Sequence, residues 1–100
     1  MVINKKQQGG SLAIALSGRL DTMTAPKLEA ELKDSIGGIA VLTFDFSELE
    51  YLSSAGLRVL LAAQKAMGQQ GGSMVVRHAN ETIMEVFELT GFLKILTVEN

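Results

Sequence analysis

One hundred residues, 47% apolar and 20% charged with no cysteine, leave room for a single hydrophobic core and for neither disulfides nor thiolate metal sites. Nine basic residues are mixed with eleven acidic ones, so the formal charge of -2 offers no basic stripe to a nucleic-acid backbone. Met1-Val2-Ile3-Asn4-Lys5-Lys6 is too short and polar for a signal peptide, and no apolar run approaches the roughly 18 to 20 residues of a membrane span.

The expectation is a cytoplasmic protein with residues 1–100 as one domain, bound to no nucleic acid and not inserted in a membrane. Val2 to Gln7 reads as an edge strand, and Gln8-Gly9-Gly10 has the chemistry of a hairpin turn because glycine reaches positive φ cheaply. From Ser11 to Ser17, Leu12, Ile14 and Leu16 alternate with small residues, as in a strand with one face on a core, antiparallel to the first. Gly18-Arg19-Leu20-Asp21 is expected to turn the chain into a helix that Thr24 caps and Pro26 opens. Its Ala25, Leu28, Leu32 and Ile36 form a buried face, Glu29 and Lys33 pair at i,i+4, and Gly37-Gly38 ends it.

Ile39 to Phe46 is nearly continuous in apolar residues, the pattern of a central strand covered on both faces. Ser47 to Leu52 is expected to loop to a second helix, which runs from the Ser53-Ser54 turn to about Met67. Ala55, Val59, Ala62 and Ala66 line one side of it, with Leu57, Leu60 and Leu61 beside them and Arg58, Lys65 and Gln69 left to solvent. Gln69-Gln70-Gly71-Gly72-Ser73 repeats the pentapeptide Gln7 to Ser11; the flanking sequences share nothing, so this is coincident turn chemistry. Met74 to Arg77 is a short strand, and Asn80 caps a third helix with Ile83, Val86 and Phe87 inward and Gly91 as its stop. Leu93 to Glu99 reads as a last strand or extended tail.

The order β-β-α-β-α-β-α-β gives an α/β domain with a mixed sheet and right-handed crossovers at its parallel links. Which face each helix takes is not legible. The expected core brings together Ile14, Leu16, Val41, Phe44, Leu60, Val75 and Phe87.

In such sheets ligands and partners meet the crevice outside the carboxyl ends of the strands. Asp21, Asp45 and the pair Ser53-Ser54 all follow expected strand ends and are read as sharing that edge, with turn formation and helix capping as their plainer roles. A serine nucleophile needs a base and an orienting group, but the one histidine, His78, sits between a strand end and a helix cap, and no G-x-S-x-G elbow is present. With no Walker loop and no metal-ligand cluster either, the expectation is a protein that is not an enzyme and carries no cofactor or metal. Gly56 costs up to about 1 kcal/mol relative to alanine in a helix. It therefore serves either a partner's close approach or a tight helix-to-strand contact.

Gly18-Arg19-Leu20-Asp21 with Thr24-Ala25, Asp45-Phe46-Ser47 leading to Tyr51-Leu52-Ser53-Ser54-Ala55-Gly56-Leu57, and Phe87-x-x-x-Gly91 together resemble the anti-sigma factor antagonist family of STAS domains over nearly the whole chain. The resemblance implies partner switching: an unmodified domain binds an anti-sigma factor that is also a serine kinase and so releases a sigma factor, phosphorylation breaks that contact, and a serine phosphatase restores it. Matching on Gly56 carries the phosphorylated serine onto Ser54; Ser53 stands where the family often has aspartate and is the rival acceptor, while Ala55 replaces a second hydroxyl residue. The implied partner surface is Asp21, Ser53, Ser54, Gly56, Leu57 and Arg58. The family usually ends in a further helix, whereas this chain stops at Asn100, implying a shortened chain or a face left for a partner. Because STAS domains also serve membrane transport of anions and lipids, the alternative is a regulatory subunit of a transporter, with the serine only a helix cap.

Overall fold

The computed structural model describes residues 1–99. In chain order the elements are β1 (Val2–Gln8), β2 (Ser11–Leu20), α1 (Ala25–Ser35), β3 (Val41–Leu52), α2 (Ser54–Gln69), β4 (Ser73–Arg77), α3 (Glu81–Thr90), a short 3-10 turn (Phe92–Lys94) and β5 (Val98–Glu99). They form a single α/β domain whose five strands are ordered β1-β2-β3-β4-β5, with β1 antiparallel to β2 and every later pair parallel. The expected element order and the central place of β3 hold.

Each parallel link steps the same way across the sheet, so right-handed crossovers place all three helices on one face. Burial follows that rule. Leu12, Ile14 and Leu16 of β2, Leu42, Phe44 and Phe46 of β3, and Met74 and Val76 of β4 join one core with Leu28, Leu32, Leu60, Ala63, Ile83 and Phe87 of the helices. The alternate residues Ala13, Val41 and Thr43 face away and stay exposed or half-buried. The reading of Ile39 to Phe46 as a strand covered on both faces is therefore corrected. Val41 is exposed and Val75 half-buried, so these two leave the expected core, whereas Ile14, Leu16, Phe44, Leu60 and Phe87 share it.

A second correction concerns the lengths of the central strands. The stretches read as a turn at Gly18–Leu20 and a loop at Ser47–Leu52 are paired with each other as the ends of β2 and β3. Between Ala15 and Ser17, and again between Gly18 and Arg19, β3 takes one extra residue in the register. The inward residues Phe46, Leu49 and Leu52 consequently recur every third position rather than every second, a spacing that hides a strand from a periodicity argument. Gly18 sits at the second irregularity with φ +93, a conformation that needs glycine.

The two Gln-Gln-Gly-Gly-Ser copies lie on either side of the entrance to β3. The Gly10 carbonyl accepts the N–H groups of Ala40 and Val41 at 2.7 and 3.1 Å, and Ser73 N–H donates to the Ala40 carbonyl at 2.9 Å. Beyond α3 the chain closes with the 3-10 turn and then β5, so Leu93–Glu99 is only partly strand. No helix among the described residues is long and apolar enough to cross a membrane.

Candidate functional site

At the carboxyl ends of β2 and β3, Leu20 and Leu52 are paired, and Ser53 N–H donates to the Leu20 carbonyl at 2.9 Å. Asp21 and Ser53 thus leave neighbouring strand ends together, and α1 and α2 both start from this edge. Ser53 has extended backbone and its Oγ accepts the Gly56 N–H at 3.4 Å, so it is the residue that caps α2. Ser54 is the first helical residue, exposed, and its hydroxyl makes no hydrogen bond among the described residues. Capping and exposure therefore fall on different serines, and any capping cost attached to Ser54 belongs to Ser53.

Gly56 faces the sheet. A Cβ there would lie 2.6 Å from Leu52 Cδ1 and 2.7 Å from Leu20 Cγ, closer than real contacts allow, so α2 rests directly on the two strand-end leucines. The tight helix-to-strand contact explains this glycine, and the reading that it keeps a surface open for a partner is corrected. Leu57 is buried as well, at 5% exposure. These two residues shape the surface from beneath it.

At the start of α1, Thr24 holds the N-cap position without a side-chain capping bond, and Asp21 instead ties down the turn that leads into the helix. Asp21 Oδ1 accepts the N–H groups of Met23 and Thr24 at 3.0 and 3.2 Å, while the Thr24 hydroxyl turns back to donate to the Arg19 carbonyl at 2.8 Å. Partial desolvation opposes the Asp21 charge, but those two N–H groups, the Thr24 hydroxyl and Arg19 outweigh it and hold the carboxyl below its ordinary value. Between the two helix starts lies a cleft of about 360 Å³ whose walls include Thr22, Pro26, Glu29, Ala55 and Arg58.

Residues 3–97 match the family described as Mlab, STAS domain. BtrV of Bordetella bronchiseptica, named as an anti-sigma factor antagonist, is 39% identical over 92 residues, covering 91% of this chain and 79% of that one. The chain belongs to the anti-sigma factor antagonist family of STAS domains. The anti-sigma-B factor antagonist of Listeria monocytogenes is 30% identical over 101 residues, covering 96% of this chain and 85% of the relative. Among solved structures, the Bacillus cell fate determinant SpoIIAA in its phosphorylated form superposes with a TM-score of 0.78 at 18% identity, covering 99% of this chain and 92% of that one.

Within this STAS domain, not every expected residue reaches the edge. Asp45 lies mid-strand, paired with Ala15 and Arg77, where its Oδ1 accepts the Ser47 N–H at 3.0 Å. It was placed at a strand end because β3 was read too short. His78 follows β4, whose last residue Arg77 pairs with Asp45 in mid-β3, and it makes no hydrogen bond to either serine among the described residues. Three residues not selected as a site do reach the edge. Arg19 lies 3.8 Å from Asp21 and stacks 4.2 Å over the ring of Tyr51, its partner in the ladder, and Met23 is 86% exposed on the turn that Asp21 holds. The Arg19–Tyr51 pairing depends on the strand register, which no local signal carries.

Proposed function

We propose that this STAS domain binds an anti-sigma factor that is also a serine kinase, freeing a sigma factor, and that phosphorylation of Ser54 switches the contact off. The observation that carries this reading is the division of labour at the start of α2: Ser53 holds the cap, which leaves the Ser54 hydroxyl exposed and uncommitted at the edge where Asp21 and Arg58 also lie. The kinase would transfer the γ-phosphoryl group of ATP to Ser54 Oγ, releasing ADP and the hydroxyl proton. A phosphatase would return the serine and inorganic phosphate. The phosphate brings a charge of about -1.5 to -2 into the partner's contact area, where desolvation and repulsion oppose docking. A helix N-terminus accepts an anion, so the domain itself keeps its fold. Its role is binding rather than catalysis, in the cytoplasm.

The names of the curated relatives favour this reading over the second one, a regulatory subunit of a transporter. The deciding experiment incubates wild type, Ser54→Ala, Ser54→Asp and Ser53→Ala with the cognate anti-sigma factor kinase and ATP, counts phosphates by intact mass, and measures affinity before and after. The expected result is one phosphate on wild type and on Ser53→Ala, none on Ser54→Ala, weaker binding by Ser54→Asp, and loss of binding once phosphate is added. Phosphate on Ser54→Ala but not on Ser53→Ala would move the switch to Ser53. Wild type that binds no anti-sigma factor but pulls down a transport ATPase would establish the second reading instead.

A further inference from the structure

We propose that Arg58 is the charge on which the switch turns: its guanidinium receives a carboxylate of the anti-sigma factor in the cleft between α1 and α2, and the phosphate on Ser54 takes it away. This rests on the partner-switching reading above and specifies its chemistry.

The first observation is an imbalance of charge. Among the described residues Lys5, Arg19, Lys33 and Arg77 each stand within 4 Å of a carboxylate, from Glu31, Asp21, Glu29 and Glu99 respectively. Arg58, like Lys6, Lys27, Lys65 and Lys94, has no ion pair among those residues, and it stands next to the helix start as part of the wall of a concave site of about 360 Å³. The one carboxylate on that cleft, Glu29, lies 3.6 Å from Lys33. The cleft thus presents an uncompensated guanidinium, a planar fork of donors suited to a carboxylate or a phosphate and less strongly hydrated than an ammonium. A partner of acidic chemistry fits it.

The second observation is the position of Ser54. Ser54 and Arg58 are i and i+4 on α2, about 5 to 6 Å apart at Cβ, and side chains on a helix lean toward its N-terminus. A phosphate on Ser54 Oγ therefore lies within reach of the guanidinium. Ser53 has extended backbone ahead of the helix and its Oγ is turned to the Gly56 N–H, so a phosphate there would sit on the cap rather than one turn from Arg58. One guanidinium cannot hold the partner's carboxylate and the phosphate in the same bidentate fork. Phosphorylation then removes the positive charge the partner needs and leaves the cleft about one charge negative, with no change of backbone.

The test has two arms. In the first, calorimetry measures binding of the purified anti-sigma factor kinase, held in ADP so that no phosphate moves, to wild type, Arg58→Gln and Arg58→Lys, each confirmed folded by its thermal melt. Arg58→Gln should bind at least about tenfold more weakly and lose most of the salt dependence, and Arg58→Lys should recover part of both. In the second, the Arg58 Nε–Hε resonance is followed by NMR in the domain with serine or phosphoserine at position 54. The phosphate should shift that resonance and order the side chain on the picosecond to nanosecond scale, whereas phosphoserine at position 53 should leave it unmoved. Wild-type affinity in Arg58→Gln, or an Nε–Hε signal indifferent to phosphoserine at 54, would overturn the inference while leaving partner switching intact. Wild type that binds no anti-sigma factor would overturn both.

Discussion

Up to Asp45, β3 runs between β2 and β4 with strict alternation, and its inward residues Leu42 and Phe44 are fully buried. Beyond Asp45 it pairs with β2 alone, takes two extra residues, and turns Leu49 and Leu52 inward at a spacing of three. The first half is ordinary sheet and holds the core. The second half is irregular, and its irregularity aims α2: the bulged strand delivers Leu52 under Gly56 and Ser53 onto the Leu20 carbonyl. Its free side is tied down by α3, whose capping residue Asn80 donates its amide to the Leu49 carbonyl at 3.1 Å while accepting Ile83 N–H at 2.8 Å. Stability and site placement thus occupy successive lengths of one strand.

The largest effect that tests this division is in the regular half. Phe44→Ala should cost about 3 to 5 kcal/mol in chemical denaturation, because removing a fully buried ring leaves a cavity between the sheet and the helices. A midpoint near wild type would remove Phe44 from the core. In the irregular half, Gly56→Ala should cost about 1 to 3 kcal/mol through overpacking against Leu20 and Leu52, partly offset by better helix propensity. Combining it with Leu52→Ala, which clears the nearest atom, should be less than additive. Full additivity would mean that α2 does not rest where the contact places it.

A smaller difference separates the two serines. Ser53→Ala should lose about 0.5 to 1 kcal/mol, the lower part of the capping range, since its bond to Gly56 N–H is long at 3.4 Å. Ser54→Ala should stay within about 0.5 kcal/mol of wild type in the same denaturation series. Equal costs would mean that the cap is shared. The smallest expected effect is in acid. Because Asp21 is held below its ordinary value of 3.8, the folded chain binds fewer protons than the unfolded one. Its stabilisation is complete above that value and is lost as the pH falls through the depressed folded value. Asp21→Asn should therefore show a shallower fall in stability than wild type below pH 3.8, and parallel curves would show that the turn does not depend on the charge.

The regular half was legible as a strand but not in its faces, because its apolar run hides the alternation, whereas Leu12, Ile14 and Leu16 announce β2 by a period of two. The irregular half was not, since Phe46, Leu49 and Leu52 fit no simple period and Ser47-Glu48 reads as loop. That error placed Asp45 at a strand end when it lies mid-strand. At the site, the turn chemistry of Ser53-Ser54 located the helix start, but which serine caps depends on a shift of one residue that propensity does not resolve. The burial of Gly56 follows from Leu20 and Leu52 meeting beneath it, and the stacking of Arg19 on Tyr51 from the same register. Both are contacts between distant parts of the chain.

The separation of cap from exposed hydroxyl has an outcome for anyone screening variants of this domain. Because Ser54 is exposed and its hydroxyl makes no hydrogen bond among the described residues, a screen for thermal tolerance reads little of what stands at position 54. Alanine, aspartate or asparagine there would pass such a screen, and a library ranked on folding alone would drift into locked and unlocked forms with little sign in its melting curves. A library covering position 53 or 56 would instead be purged by the same screen, so sequence tolerance at this turn should rise and fall within a span of four residues.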